Sequence, residues 1–95
     1  MLSYPVTLTP DSNGSILVTF PDVPEAITIG ETVSDALVQA LDALEAALAI
    51  YRDEKRSIPM PSKALPGQPV VTLTALTLSK VFLVNEIIGR KVRAI

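Results

Sequence analysis

An apolar arc at helical spacing runs through the middle of the chain and limits the folds open to it. Between residues 33 and 53 apolar side chains recur every three or four positions, whereas acidic residues such as Asp42 and Glu45 fall outside the pattern. At about 100° per residue the arc is roughly 140° wide, as expected of a helix that buries one face. It consists of Val33, Ala36, Leu37, Ala40, Leu41, Leu44, Ala47, Leu48 and Tyr51. We therefore predict an amphipathic helix over 33–53 that packs on a sheet.

The start of this helix carries its own signal. Thr32 is the predicted N-cap, because its hydroxyl can accept a hydrogen bond from the first turn. Asp35 follows three positions later, which is close to a capping-box arrangement and places a negative charge at the helix N-terminus. Gly30 precedes the cap and is expected to permit a sharp change of chain direction.

Alternation of apolar and polar residues predicts strands around this helix. The predicted strands are 3–9, 15–20, 26–29 and 70–74. Asn13 and Gly14 lie between the first two strands and can supply the positive φ of a hairpin turn. Pro5 cannot donate to a ladder, so its strand should be an edge strand or turn Pro5 outward. The predicted fold is α+β, a small antiparallel sheet of order β-β-β-α-β-α with one main helix packed on it.

Prolines divide the rest of the chain into a loop and a connector. Pro21 and Pro24 lie three positions apart within 20–25, so we predict an extended loop that lacks backbone donors at both positions. Residues 57–69 are again rich in proline. This composition predicts an extended connector between the main helix and the last strand.

A second helix is predicted over about 75–89, and its apolar residues cover more than one face. Such a helix must be buried on more than one side. In a chain of 95 residues we expect the extra cover from another subunit, which predicts a homodimer or tetramer. The candidate oligomerisation residues are Leu78, Phe82, Leu83 and Ile87. We accordingly divide the chain into a binding domain, 1–74, and a C-terminal oligomerisation helix, 75–95.

Composition excludes several kinds of chemistry. The chain has no histidine and no cysteine, which removes Ser-His-Asp and Cys-His catalysis, disulfides and ordinary zinc sites. No cofactor is expected, and a net charge of −2 offers no basic field for nucleic acid. No apolar stretch approaches the roughly 20 residues that span a bilayer. We expect no signal peptide, no membrane contact and a cytoplasmic protein.

Two aspartates could in principle serve a metal-dependent nuclease, because paired carboxylates hold Mg²⁺ in phosphoryl chemistry. Asp11 and Asp22 flank the second predicted strand. Asp11, however, lies in a polar turn and Asp22 lies between prolines, where Asp commonly bonds to local backbone. We favour turn and loop roles for both, and assign no catalytic or metal-binding residue.

Several short segments occur in a distinctive order along the chain. They are Tyr4-Pro5-Val6-Thr7-Leu8, Gly14, Val18-Thr19-Phe20-Pro21-Asp22-Val23-Pro24, Ala26-Ile27-Thr28, Gly30-Glu31-Thr32, Ala36-Leu37, Ala40-Leu41-Asp42-Ala43-Leu44 and Ile58-Pro59-Met60-Pro61-Ser62. In this order they resemble the N-terminal domain of the HicB-type antitoxins over about residues 3–62. A looser likeness continues through 79–85.

The resemblance implies a fold, a function and a partner. The implied fold is a partial ribonuclease H-like sheet that carries one main helix and no nuclease residues. The implied function is that of a non-enzymatic antitoxin of a type II toxin–antitoxin system, which binds a small, basic HicA-type toxin and blocks its cleavage of mRNA. Family members form dimers or larger oligomers, and many continue into a C-terminal DNA-binding module. This chain ends at Ile95, so we expect no operator binding by it.

An acidic surface would complement a basic, RNA-binding partner. The candidate toxin-binding residues are Asp22, Val23, Pro24 and Glu25 in the proline loop, and Asp42 and Glu45 on the main helix. Two other functions stay open: an oligomeric scaffold or regulator without a toxin, and, less favoured, a metal-dependent nuclease.

Overall fold

In its described part, the chain forms two small antiparallel sheets that pack with one long helix. The computed structural model describes residues 2–81 and 83. Its elements are β1 (Ser3–Pro5), β2 (Thr7–Pro10), β3 (Ile16–Thr19), β4 (Ile27–Gly30), α1 (Val33–Asp53) and β5 (Val70–Thr72). β1 pairs with β5, and β2, β3 and β4 form the second sheet in that order. The predicted α+β fold is confirmed, with two sheets in place of one.

The predicted first strand divides at Val6, so that β1 and β2 belong to different sheets. The Val6 N–H still donates to the Pro69 carbonyl at 3.0 Å. Pro69 has no N–H with which to return a bond, and the ladder with β5 therefore ends there. Pro5 lies in β1, which has one described partner strand, β5, so Pro5 is in an edge strand as its missing N–H requires. Its side chain is nevertheless buried.

The hairpin between β2 and β3 turns where it was predicted. The Asp11 N–H donates to the Ser15 carbonyl at 2.8 Å, and the Gly14 N–H donates to the Asp11 carbonyl at 3.1 Å. Gly14 has a φ of +90°, in the left-handed region that glycine adopts at little cost. The predicted hairpin turn is therefore confirmed.

The helix α1 begins and ends at the predicted residues. The Asp35 N–H donates to Thr32 Oγ1 at 3.0 Å, and Asp35 Oδ2 accepts from the Glu31 N–H at 2.9 Å. These bonds satisfy donors that a helix N-terminus leaves open. Val33, which the arc placed on the buried face, is instead exposed. It occupies the first helical position, and the first buried residue of α1 is Ala36.

The core lies between α1 and the sheets. Its buried members are Tyr4, Val6, Val18, Phe20, Val23, Ala26, Ala36, Ala40, Leu44, Ala47, Leu48, Tyr51, Ile58, Val71, Leu73 and Val81. Small alanines on α1 let the helix lie close to the strands, and larger side chains from the strands and loops fill the space around them. The proline loop and the connector both contribute to this core, through Val23 and Ile58.

Gly30 permits a close approach between β4 and α1. A Cβ at this position would lie 2.7 Å from the Ala36 Cβ and against the Ala36 backbone, which is closer than atoms can pack. The glycines with positive φ among the described residues are Gly14 and Gly67. Gly30 is not among them, and in the structure it leaves room for Ala36 where β4 leads into α1.

A second helical segment follows β5, over residues 75–81 and 83. Its first turn is closed by the Leu78 N–H, which donates to the Thr74 carbonyl at 2.9 Å. Val81 is buried in the same core as α1. Over residues 2–81 and 83, we find no helix with the length and apolar character needed to cross a membrane.

The candidate oligomerisation residues have different environments in this segment. Leu78 is half-buried, whereas Leu83 is largely exposed. Phe82 and Ile87 lie outside the described residues. Leu76, on the same segment, is also largely exposed.

Candidate functional site

The proline loop between β3 and β4 is a compact double turn, so the prediction of an extended loop was wrong. The Val23 N–H donates to the Phe20 carbonyl at 3.2 Å, and the Ala26 N–H donates to the Val23 carbonyl at 2.9 Å. Phe20, Val23 and Ala26 are buried, whereas Pro24 and Glu25 are exposed. Every third residue thus anchors the loop in the core, and the residues between are held at the surface. Val23 is an anchor and does not present its side chain outward.

Asp22 joins the loop to the connector. Its carboxylate accepts from the Ser62 N–H at 2.9 Å, and each of its oxygens lies 3.0 Å or less from the Ser62 hydroxyl. The Tyr4 hydroxyl holds the same connector by donating to the Pro59 carbonyl at 2.6 Å. Burial, and secondly the charge of Asp22, raise the pKa of Tyr4 to about 12. The donors to Asp22 are neutral, and within residues 2–81 and 83 no salt bridge of its carboxylate is described.

Glu25 is held from the other side by the end of α1. Its carboxylate accepts from the Tyr51 hydroxyl at 2.7 Å and from the Arg56 guanidinium at 3.2 Å. Arg56 also donates to Glu54 at 2.9 Å and stacks over the Tyr51 ring, 4.1 Å from its centroid. The hydrogen bond from Tyr51 is the main reason that the pKa of Glu25 lies below its usual value, and Arg56 adds to that effect. Arg56 therefore shares its single positive charge between Glu25 and Glu54.

The two acids predicted on α1 differ in their contacts. Glu45 accepts from the hydroxyls of Thr74 at 2.8 Å and Thr77 at 2.6 Å, so it ties α1 to the start of the second helical segment. Asp42 is exposed, and within 2–81 and 83 no hydrogen bond or ion pair of its carboxylate is described. Asp42 precedes Tyr51 by nine positions, which at about 100° per residue places it on the opposite side of α1.

The structure thus divides the six predicted contact residues into two groups. Asp22, Val23, Pro24 and Glu25 lie together in the proline loop, at the end of β3 and near the C-terminal end of α1. Asp42 and Glu45 lie on α1, away from the side that carries Tyr51. We define the loop surface as Asp22, Pro24 and Glu25 with the residues that hold them, Ser62 and Arg56.

Asp11 and Asp22 lie at opposite ends of β3. A strand rises about 3.3 Å per residue, so these four residues alone separate them by roughly 13 Å. Each carboxylate also has its own local partner, the Ser12 N–H for Asp11 and Ser62 for Asp22. In the described part of the chain no three acidic side chains converge on a point that could hold a metal ion.

Sequence reasoning missed Ser62, Tyr51 and Arg56 as supports of this surface. Tyr51 was placed in the apolar arc of α1. That pattern predicts the burial of its ring but not the hydrogen bond of its hydroxyl. Arg56 pairs with Glu25 and Glu54, and neither pairing was predicted. Of these three residues, only Arg56 carried a signal in the sequence. A cation just after a helix suggests an acidic partner but does not identify it.

The family model and the relatives found by comparison with known proteins all belong to one kind of protein, the HicB antitoxins. Residues 3–82 match the family model described as HicB_like antitoxin of bacterial toxin-antitoxin system. Antitoxin HicB 1 of Photorhabdus laumondii is 40% identical over 94 residues, which is 99% of this chain and 59% of that protein. Antitoxin HicB of Escherichia coli strain K12 is 38% identical over 91 residues, which is 96% of this chain and 66% of that protein. The chain thus spans about three fifths of these relatives.

A solved structure shares the fold. The crystal structure of the N-terminal domain of Burkholderia pseudomallei antitoxin HicB superposes with a TM-score of 0.65, over 77% of this chain and 99% of that domain. The two sequences are 18% identical. The likeness therefore concerns the arrangement of strands and helix, and the contacts of the loop surface are described from this chain alone.

Proposed function

The chain belongs to the HicB-like family of bacterial antitoxins, and from that membership we propose that it binds and occludes a small HicA-type mRNA-cleaving toxin. It acts as a binding protein and not as an enzyme. The observation that supports the choice of surface is the fixed loop surface, where Asp22 and Pro24 are positioned before any partner arrives. Positioning in advance reduces the conformational entropy that binding must overcome.

Electrostatics supports a basic partner at this surface. Among the described residues the donors to Asp22 are the neutral groups of Ser62, whereas Glu25 has a cation, Arg56, which it shares with Glu54. A protein that binds RNA presents cations to phosphate. Complementary charge would steer such a protein to Asp22 and raise the association rate, with a strong dependence on salt. Of the two loop acids, Asp22 should therefore contribute more to toxin association.

The direct test is a titration of the chain against the small basic protein encoded beside its gene. Calorimetry measures the affinity, and cleavage of an mRNA substrate by the toxin measures its inhibition. We expect a nanomolar dissociation constant and loss of cleavage at one equivalent. Micromolar or weaker binding with undiminished cleavage would reject the proposal.

The surface is tested with substitutions that change charge while keeping the hydrogen bonds. Asp22→Asn keeps an oxygen that can accept from Ser62, and Glu25→Gln keeps an oxygen for Tyr51. Asp11→Asn is the matched control, because Asp11 lies in the hairpin at the other end of β3. We expect Asp22→Asn to slow toxin association about 10-fold at low salt, with Glu25→Gln and Asp11→Asn close to wild type. Equal rates for all three would remove the loop surface from the proposal.

Asp42 and Glu45 belong to the proposal as secondary contacts. Asp42→Asn is informative, because its carboxylate is exposed and the substitution removes no hydrogen bond or ion pair that is described for residues 2–81 and 83. Glu45 must be read with more care, since Glu45→Gln also alters the bonds to Thr74 and Thr77. An unchanged affinity for Asp42→Asn would remove Asp42 from the contact surface.

We also propose a division of labour along the chain. Residues 1–74 carry toxin binding, residues 75–95 contribute to oligomerisation through Leu78, Phe82, Leu83 and Ile87, and neither binds operator DNA. The site of action is the cytoplasm, where mRNA is cleaved. A sequence-specific, salt-sensitive shift of operator DNA by nanomolar protein would contradict this division.

A further inference from the structure

The sheet of β2, β3 and β4 has one face against α1 and one open face. Val18 and Gly30 are buried on the first face, where Gly30 lies against Ala36 of α1. Because side chains alternate across a strand, the residues between these positions point to the opposite side of the sheet. The strand register aligns them in two rows, which we call the outer face: Thr7, Thr19 and Ile27 in the first row, and Thr9, Leu17 and Ile29 in the second.

The outer face is accessible and carries no charge. Ile27 and Ile29 are each 60% exposed, and Leu17 is 37% exposed. The three threonines are exposed or half-buried. Exposed aliphatic side chains also occur elsewhere, for example Val38 and Ile50 on α1. The outer face differs in its arrangement, because six neutral side chains at paired positions of adjacent strands form one continuous surface.

Negative charge borders the outer face. Residues 1–51, which contain β1 to β4 and most of α1, include seven acidic residues and no lysine or arginine. Asp22 and Glu25 lie in the loop that joins β3 to β4, and Glu31 directly follows β4. Among the described residues, Arg56 forms a salt bridge with Glu25 from beyond the end of α1. The field of this half of the chain attracts a cationic protein and repels the phosphates of a nucleic acid.

The loop surface alone is too small for the nanomolar complex proposed above. A standard interface uses about 800 Å² and roughly 20–30 residues on each side, whereas the loop offers Asp22, Pro24 and Glu25. Thr19 directly precedes the loop and Ile27 directly follows it, so the first row of the outer face continues the loop surface on to the strands. Together they have an uncharged centre with a charged border, which is the usual anatomy of a protein interface.

We propose that the toxin covers the outer face, with an apolar patch on Ile27 and with cations that reach the acids of the loop. This inference rests on the proposed function, because it assigns a further surface to the same basic partner. The contact is closest at the first row and decreases toward the second, and it ends before Asp11 in the hairpin. The acids then increase the association rate, and the apolar contact decreases the dissociation rate.

Ile27→Ala tests the apolar contact by its kinetics. We expect dissociation of the toxin to become about 10-fold faster, with association within about 2-fold of wild type. Asp22→Asn should show the opposite pattern. Ile29→Ala, in the second row, should accelerate dissociation only about 3-fold. Leu76→Ala is the matched control, because Leu76 is 67% exposed and lies in the second helical segment, outside residues 1–74.

Ile27→Lys adds a cation where a basic partner is expected. Loss of the apolar contact and repulsion together should weaken toxin binding at least about 30-fold, whereas Leu76→Lys should bind like wild type. Urea denaturation of each variant identifies a loss of affinity that arises from unfolding.

Isoleucine methyl signals test the outer face without a substitution. Ile27 and Ile29 report on this face, and the buried Ile58 reports on the core. When unlabelled toxin is added to labelled wild-type chain, the NMR signal of the Ile27 methyl groups should change most, that of Ile29 less, and that of Ile58 least.

Three results would overturn the proposal while wild type still binds the toxin with nanomolar affinity. The first is a wild-type dissociation rate for both Ile27→Ala and Ile27→Lys. The second is binding that leaves the Ile27 and Ile29 signals unchanged. The third is a change of these signals with the concentration of the free chain and not with toxin, which would assign the outer face to a second copy. Each leaves the proposed function standing, whereas wild type that does not bind the toxin removes both.

Discussion

Asp22 and Ser62 lie 40 residues apart in the chain, and the Asp22 carboxylate accepts hydrogen bonds from both the backbone N–H and the hydroxyl of Ser62. The proline loop and the connector are thereby held to each other at the surface. Pro59 and Tyr4 provide a second tie between the connector and β1, at 2.6 Å. The loop surface therefore depends on residues far from it in sequence.

Ser62→Ala tests the contribution of the first tie. The substitution removes the hydroxyl donor and keeps the backbone donor, so we expect a loss of about 1 kcal/mol in the free energy of unfolding. Urea denaturation measures it, and hydrogen exchange of the Val23 and Ala26 amides should become faster. Ser57→Ala is the control for loss of a hydroxyl from the connector and should stay within about 0.5 kcal/mol of wild type. Equal stabilities of the two variants would mean that the Ser62 hydroxyl is dispensable.

Glu25 gives stability that depends on acid pH. Its pKa in the folded chain is lowered by the Tyr51 hydroxyl and by Arg56. A lowered pKa adds stability that is present above the unfolded pKa and is lost as pH falls through the folded pKa. We therefore expect the loss of stability as pH falls below about 5 to be smaller in Glu25→Gln than in wild type, measured by urea denaturation at each pH. Asp53→Asn is the control, and an identical pH profile for Glu25→Gln would contradict the role of this pair.

Tyr4 gives stability that is lost at alkaline pH. Its folded pKa is raised to about 12, first by burial and then by the charge of Asp22, so its contribution is complete below pH 10 and is lost as pH rises toward 12. Tyr4→Phe should remove this alkaline loss. At neutral pH it should also cost about 1–2 kcal/mol, because the Pro59 carbonyl loses its donor. Two measurements on wild type and Tyr4→Phe separate the ionisation of Tyr4 from the loss of its hydrogen bond. Tyrosinate absorbance follows the ionisation, and unfolding at the same pH values gives the stability.

Gly30→Ala tests the close approach of β4 and α1. The added methyl group would meet the Ala36 Cβ at 2.7 Å and the backbone behind it, so strand and helix must separate. We expect a loss of about 3 kcal/mol by overpacking. Gly14→Ala is the comparison, since nothing lies within 4 Å of its added Cβ and only the φ of +90° is unfavourable, for about 1–2 kcal/mol. The opposite ranking by thermal unfolding would show that the helix can shift without cost.

Much of the fold was predictable because its signals are local. Thr32 and Asp35 lie within one helical turn, and Asn13 and Gly14 within one hairpin, so neighbouring residues alone define the elements they terminate. The division of the first strand at Val6 was not predictable. It depends on Pro69, which the alternation of residues 3–9 does not contain.

The site was predictable in position but not in its contacts. Prolines and acids marked the loop, yet the pairing of Asp22 with Ser62 and of Glu25 with Arg56 crosses 40 and 31 residues respectively. Such pairs are formed by the tertiary structure, and local sequence does not indicate them. The burial of Val23 was hidden for a related reason, since a loop residue that anchors the core carries no periodic pattern of its own.

The division at Val6 has a consequence for the order of folding. β2, β3, β4 and α1 are consecutive in the chain, so their contacts close short loops and can form early. β1 must wait for β5, because Ser3 meets Thr72 across 69 residues, and closing so long a loop is slow. A ribosome releases the N-terminal residues first, and they stay unpaired until almost the whole domain has been synthesised. The connector and the loop surface, which depend on β1 through Tyr4, should therefore be the last parts of the described chain to mature.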